Sequence, residues 1–178
     1  LNSSNALLKE IEEPNDNVYF ILIFDSSKKI LNTVKSRCIK FNLNLTHDQC
    51  LEITNKINQK SLNNFVNADL INHYNTVGDL INLIKFSQSS DLDMLNLDLK
   101  SFLLNVIEKK YYKNDIFLKN NIYKFIEFYL LKIINLNKSN NNFFLLYENF
   151  IKKIYYLKKY NLDDETFFIE FKSRVLNG

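Results

Sequence analysis

Few residues in this chain stand at spacings that do chemistry. Arg37 lies in Ser36-Arg37-Cys38, and from its local sequence it reads as a surface arginine that ends a helix beside a strand. Ser3, Ser4 and Asn5 precede a run of helix formers. Their local reading is N-capping, and the free N–H groups of the same helix end offer a weak site for an anion. His47 and His73 have no carboxylate or cysteine partner at metal-ligand spacing, so no zinc site is expected. Cys38 and Cys50 are too far apart for a CxxC site and are expected as reduced thiols. No serine, histidine and aspartate set forms a nucleophilic constellation. Lys152, Lys153, Lys158 and Lys159 alternate with Tyr155, Tyr156 and Tyr160. That pattern can stack bases and hold phosphates, but it equally gives a solvated helix face, which is the reading taken here. Residues 109–113, Lys-Lys-Tyr-Tyr-Lys, are read the same way.

The elements that must position these residues are mainly helical. The chain has 178 residues, 46% of them hydrophobic and 14% aromatic, with a formal net charge of +3, which is a globular composition and not a disordered one. Two glycines and one proline leave few places for tight hairpins or glycine-rich phosphate loops, a scarcity that helices tolerate best. The longest apolar run, residues 18–24, is too short for a membrane span and is preceded by acid, so a soluble, cytoplasmic protein is expected. Because numbering starts at Leu1 and the first residues read as the middle of a folded unit, a truncated or processed fragment is expected.

Along the chain, residues 5–13 form a short helix stopped by Pro14. Residues 18–24 are rich in β-formers and suit a strand covered on both faces, with residues 38–43 as its candidate partner through a crossover helix. Both strands need further neighbours. From Thr46 the period becomes helical: Thr46 and Gln49 make a capping box, and three helices are expected near residues 48–59, 64–73 and 76–88. Residues 87–91 are the linker candidate. Four further helices follow from apolar stripes such as Leu103, Val106 and Ile107, or Phe150, Ile154 and Leu157.

Four pieces stand in order over about forty residues: Asn5-Ala6-Leu7-Leu8-Lys9, Glu12-Glu13-Pro14, Tyr19-Phe20-Ile21-Leu22 and Thr33-Val34-Lys35-Ser36-Arg37-Cys38. Together they resemble the AAA+ ATPase subunits of bacterial DNA polymerase III clamp loaders. The resemblance implies the C-terminal part of an AAA+ core over residues 1–44, a three-helix lid over 45–90 and a helical collar over 91–178 that carries oligomer contacts on an exposed aromatic face. It implies that Arg37 touches the terminal phosphate of ATP held by a neighbouring subunit, acting as an arginine finger in trans with Ser36 and Cys38 as its motif neighbours. An arginine suits that task because its fork stays charged and can bind two phosphate oxygens at once.

The resemblance also puts the helix start at Ser3, Ser4 and Asn5 near a primer-template backbone. It places the sensor-1 position near Phe24 or Asp25 and the sensor-2 position at Gly78. A carboxylate at the first and no side chain at the second favour a non-hydrolysing stator of the delta-prime branch over a gamma/tau-type ATPase. The chain contains no G-x-x-x-x-G-K-[ST] loop and no acidic Walker-B strand. No cofactor and no ATP hydrolysis are therefore expected of these residues alone. The implied partners are the gamma/tau and delta subunits, with sliding clamp and primer-template DNA reached through the complex, and no membrane. A helical interaction module unrelated to ATP is the reading from another class, and it predicts that Arg37 is buried or paired.

Overall fold

The computed structural model describes residues 8, 10–12, 15–24, 31–72, 75–137 and 141–177, and these divide into two compact units, Leu1–Asn44 and Leu45–Gly178. In the first unit Leu8 and residues 10–12 are helical, and a turn follows in which Asn17 takes a positive φ of 65°. The helix α1, Asn32–Lys35, is a single turn that buries none of its residues. The two expected strands are not formed: residues 18–24 and 38–43 enter no β-ladder among the described residues. Their imprint survives in the side chains. Tyr19, Ile21 and Ile23 are 86% to 95% exposed, whereas Val18, Phe20, Leu22 and Phe24 are 38% to 44% exposed, which is the two-residue alternation of an extended chain with one face bare. A strand needs ladder partners for its N–H and C=O groups, and the described residues of this unit supply none.

The second unit is all-helical among its described residues. α2, His47–Asn58, begins with the capping box read from the sequence: Gln49 N–H donates to Thr46 Oγ1 at 3.3 Å, and Thr46 N–H donates to Gln49 Oε1 at 2.9 Å. It ends where Gln59 turns left-handed at φ 56°.

The helix expected over residues 64–73 is absent from the described part of that stretch, and two 3-10 turns, Leu62–Asn64 and Ala68–Leu70, stand near it. Asparagines explain the change, since their side chains compete for backbone groups that a helix would use. Asn55 Oδ1 accepts from Leu62 N–H at 2.8 Å and Asn67 Oδ1 from Asp69 N–H at 2.9 Å, while Asn67 Nδ2 donates to the Leu95 carbonyl at 3.1 Å.

α3, Val77–Ser89, is opened by a second capping box, Thr76 with Asp79. α4, Leu99–Glu108, starts at Asp98, whose carboxylate accepts from Ser101 N–H at 2.8 Å. A short helix α5, Tyr111–Asn114, leads into the long α6, Ile116–Leu136, and then come α7, Asn141–Tyr160, and α8, Asp164–Phe171, which runs on into a π turn at Lys172–Leu176. α6 is the axis, packing against α3, α4, α5 and α7, while α2 lies on α3 and α8 on α7. Its core is aromatic: Phe102 meets Phe125 edge-on at 5.1 Å, and Phe150 meets Phe167 and Phe171 at 5.8 and 5.4 Å.

Residues 87–91 are not a loose linker. Phe86 packs edge-on against both Phe102 and Tyr111, and Asp91 accepts from the Tyr111 hydroxyl and from Lys109 Nζ. No helix among the described residues is long and apolar enough to cross a membrane.

Candidate functional site

Arg37 leaves α1 at its C-terminal end, where unpaired carbonyls and the negative end of the helix attract a cation. Its Nη1 donates to the Thr33 carbonyl at 2.9 Å and lies 3.4 Å from Ser36 Oγ, and that hydroxyl itself donates to the Thr33 carbonyl at 3.0 Å. Nη2 forms an ion pair with the Glu12 carboxylate. The guanidinium is thus neither buried nor free, since its side chain is 37% exposed and that of Glu12 45%. Ser36 serves as the small hydroxyl that ties the turn, and the Cys38 thiol beside it is free and half-buried. That Glu12 faces Arg37 has no signature in the sequence, because the two lie in different elements with no shared period.

The remaining predicted positions separate from this point. Ser3, Ser4, Asn5, Asp25 and His73 lie outside the described residues. Gly78 sits exposed in the first turn of α3, where a Cβ would meet only Thr76 Oγ1 at an ordinary 3.7 Å. Two donors of that helix start are engaged: Asp79 N–H donates to Thr76 Oγ1 at 3.1 Å, and Thr76 N–H donates at 3.2 Å to Asp79 Oδ2, which also pairs with Lys124 Nζ at 3.3 Å. A carboxylate next to Gly78 makes the turn unfavourable for a phosphate. Among the described residues no group of three or more His, Cys, Asp or Glu is placed to hold a metal ion.

The lysine-rich stretches resolve into two kinds. Lys109 pairs with Asp91 at 2.9 Å, and Lys110 and Lys113 pair with Glu165 at 2.5 and 3.0 Å. These contacts hold Asp91 and Glu165 each at about 2, the first chiefly through the Tyr111 hydroxyl and then Lys109, the second chiefly through Lys110 and then Lys113. Burial, reinforced by a hydrogen bond to Asp164, pushes the Tyr123 hydroxyl well above the usual tyrosine range. These are tethers between loops and helices.

On α7 the pattern differs. Lys153 is spent on Glu170 at 2.5 Å, while the outward stripe shows Phe144, Leu145, Tyr155, Tyr156 and Tyr160 to solvent, with Tyr156 stacked on Tyr160 at 6.1 Å. Lys159 Nζ lies over the rings of Tyr155 and Tyr160 at 5.5 and 5.3 Å. An aromatic face is exposed on α7.

Comparison with known proteins bears on the same residues. Residues 1–47 match the family described as DNA polymerase III, delta subunit. The chain is 33% identical over 115 residues to a DNA polymerase III subunit gamma of Buchnera aphidicola subsp. Schizaphis graminum, a match covering 62% of this chain and 32% of that protein. It is 47% identical over 47 residues to a DNA polymerase III subunit delta' of Haemophilus influenzae, covering 26% and 14% of the two chains. A delta' subunit of Buchnera aphidicola subsp. Baizongia pistaciae is 56% identical over 39 residues, covering 22% and 12%. The matches therefore span a third or less of each of these relatives. No solved structure matches the chain.

Proposed function

We propose, from the premise that this chain is a member of the DNA polymerase III clamp-loader subunit family, that it belongs to a non-hydrolysing stator that presents Arg37 to ATP bound by a neighbouring subunit. The observation that carries this is the place of the guanidinium at the exposed end of α1, where its partners among the described residues are themselves partly exposed; its pairing with Glu12 is what the helical-module reading predicts, and hydrolysis in the assembled complex separates the two. A permanently charged fork in that place neutralises charge that spreads over the terminal phosphate during transfer. The delta-prime reading draws support from the Gly78 turn, whose N–H groups serve Thr76 and whose nearest charge is the Asp79 carboxylate. The aromatic outward face of α7 supplies the kind of surface that seats against sister subunits in an assembled, cytoplasmic replication complex.

The gamma-type reading has its own observation, since the gamma match extends over 115 residues while the delta' matches named above stop at 47 and 39. One assembled-complex experiment addresses both. Arg37→Ala in the full-length subunit is expected to leave assembly intact and to slow DNA-stimulated hydrolysis at the facing site by on the order of 10³-fold. Unchanged hydrolysis removes the finger assignment. ATP binding by the wild-type full-length subunit alone favours the gamma-type reading.

A further inference from the structure

We propose that Glu12 is the positioning residue of Arg37, an internal counter-ion that occupies the guanidinium until a neighbour's phosphate displaces it. The inference rests on the finger reading given above and deepens it. Arginine offers two two-pronged faces to an oxyanion, a side face formed by Nε and Nη2 and an end face formed by Nη1 and Nη2. Nη2 gives one N–H to each face, and it is the nitrogen that a Glu12 oxygen holds. Nη1 is already given to the Thr33 carbonyl at 2.9 Å, with Ser36 Oγ at 3.4 Å. On the face that Glu12 holds, two-pronged contact with a phosphate therefore competes with its carboxylate, and on the other face the like charge of that carboxylate repels the incoming oxygens.

The exchange is chemically balanced, carboxylate oxygen for phosphate oxygen on the same N–H donors, with no proton changing hands. Both partners of the ion pair are more than a third exposed, so the hold is weak enough for a multiply charged triphosphate to break. Glu12 and Arg37 both lie within residues 1–47, the segment shared with the family. The pairing thus couples the helical segment before the turn to the end of α1.

The test uses the full-length subunit assembled with its partner subunits and measures steady-state ATP hydrolysis in the presence of DNA. Glu12→Gln, which keeps the shape and removes the charge, is expected to lower KM for ATP at the facing site by about two- to five-fold with kcat unchanged. Glu12→Asp is expected to return KM toward the wild-type value. In an Arg37→Ala background the Glu12→Gln effect should vanish. An unchanged or raised KM, a fall in kcat, or a KM effect that persists without Arg37 overturns the proposal. If Arg37→Ala alone slows hydrolysis while Glu12→Gln does nothing, only the role of Glu12 fails; if Arg37→Ala is silent, the finger reading fails with it.

Discussion

Removing the ring of Phe150 is the sharpest test of how α7 is held. This side chain is fully buried, meets Phe167 and Phe171 edge-on at 5.8 and 5.4 Å, and has Lys153 Nζ at 5.6 Å and the Arg174 guanidinium at 6.0 Å from its ring centre. Phe150→Ala removes the apolar transfer term and leaves a cavity that helices on both sides cannot fully close, a loss of about 3–5 kcal/mol. The two edge-on pairs belong to that total and place it toward the upper end. For a cooperative unit of this size such a loss lowers Tm by roughly 10–20 °C. Scanning calorimetry of the whole chain reads the shift, with Tyr156→Ala as a surface control expected within about 0.5 kcal/mol of wild type. A Phe150→Ala loss under about 1 kcal/mol would refute the claim that this ring clamps α7 onto α8. The claim matters for function because the opposite side of α7 carries the exposed tyrosines, and a face seats a partner only if its helix is fixed.

Two further outcomes follow from the same contacts. Asp91 and Glu165 both titrate near 2 when folded, below the ordinary carboxylate value, so the folded state binds fewer protons than the unfolded one. Their stabilising effect is complete above the unfolded values and is lost as pH falls from about 4–5 toward 2, and Asp91→Asn should flatten Tm against pH in that window. Gly78→Ala should raise stability by about 0.4–1 kcal/mol, because its added methyl meets nothing closer than 3.7 Å and alanine leaves the unfolded chain less freedom to lose; a loss of stability in urea titration would contradict the open space seen there.

What was legible in the sequence were the features that local chemistry decides. The helical class is observed, and Thr46 and Gln49 form their box because both partners lie within one turn of each other. Apolar stripes marked the buried faces of α4 and α7, with Leu103, Val106 and Ile107 on one and Phe150, Ile154 and Leu157 on the other. The failures share a cause: long-range polar pairing leaves no period. Asn67 trades helix geometry for bonds to Asp69 N–H and the Leu95 carbonyl, so a helical pattern at residues 64–73 was outcompeted. Asp91 sits in a polar stretch that looked like a tether and is instead fastened by Tyr111 and Lys109. The family motif located Arg37, but its engagement by Glu12 could be seen only in three dimensions. Strand formers at residues 18–24 carried the right pattern without the ladder that converts pattern into sheet.

That bare ribbon also governs how the polypeptide behaves in a tube. Its seven residues carry no charge and no proline, which is the composition that zips like segments into cross-β stacks. With Tyr19, Ile21 and Ile23 turned outward, one molecule offers the next a ready template. A charged substitution at Ile21 breaks that template and is expected to keep the protein dispersed at concentrations where the wild type scatters light.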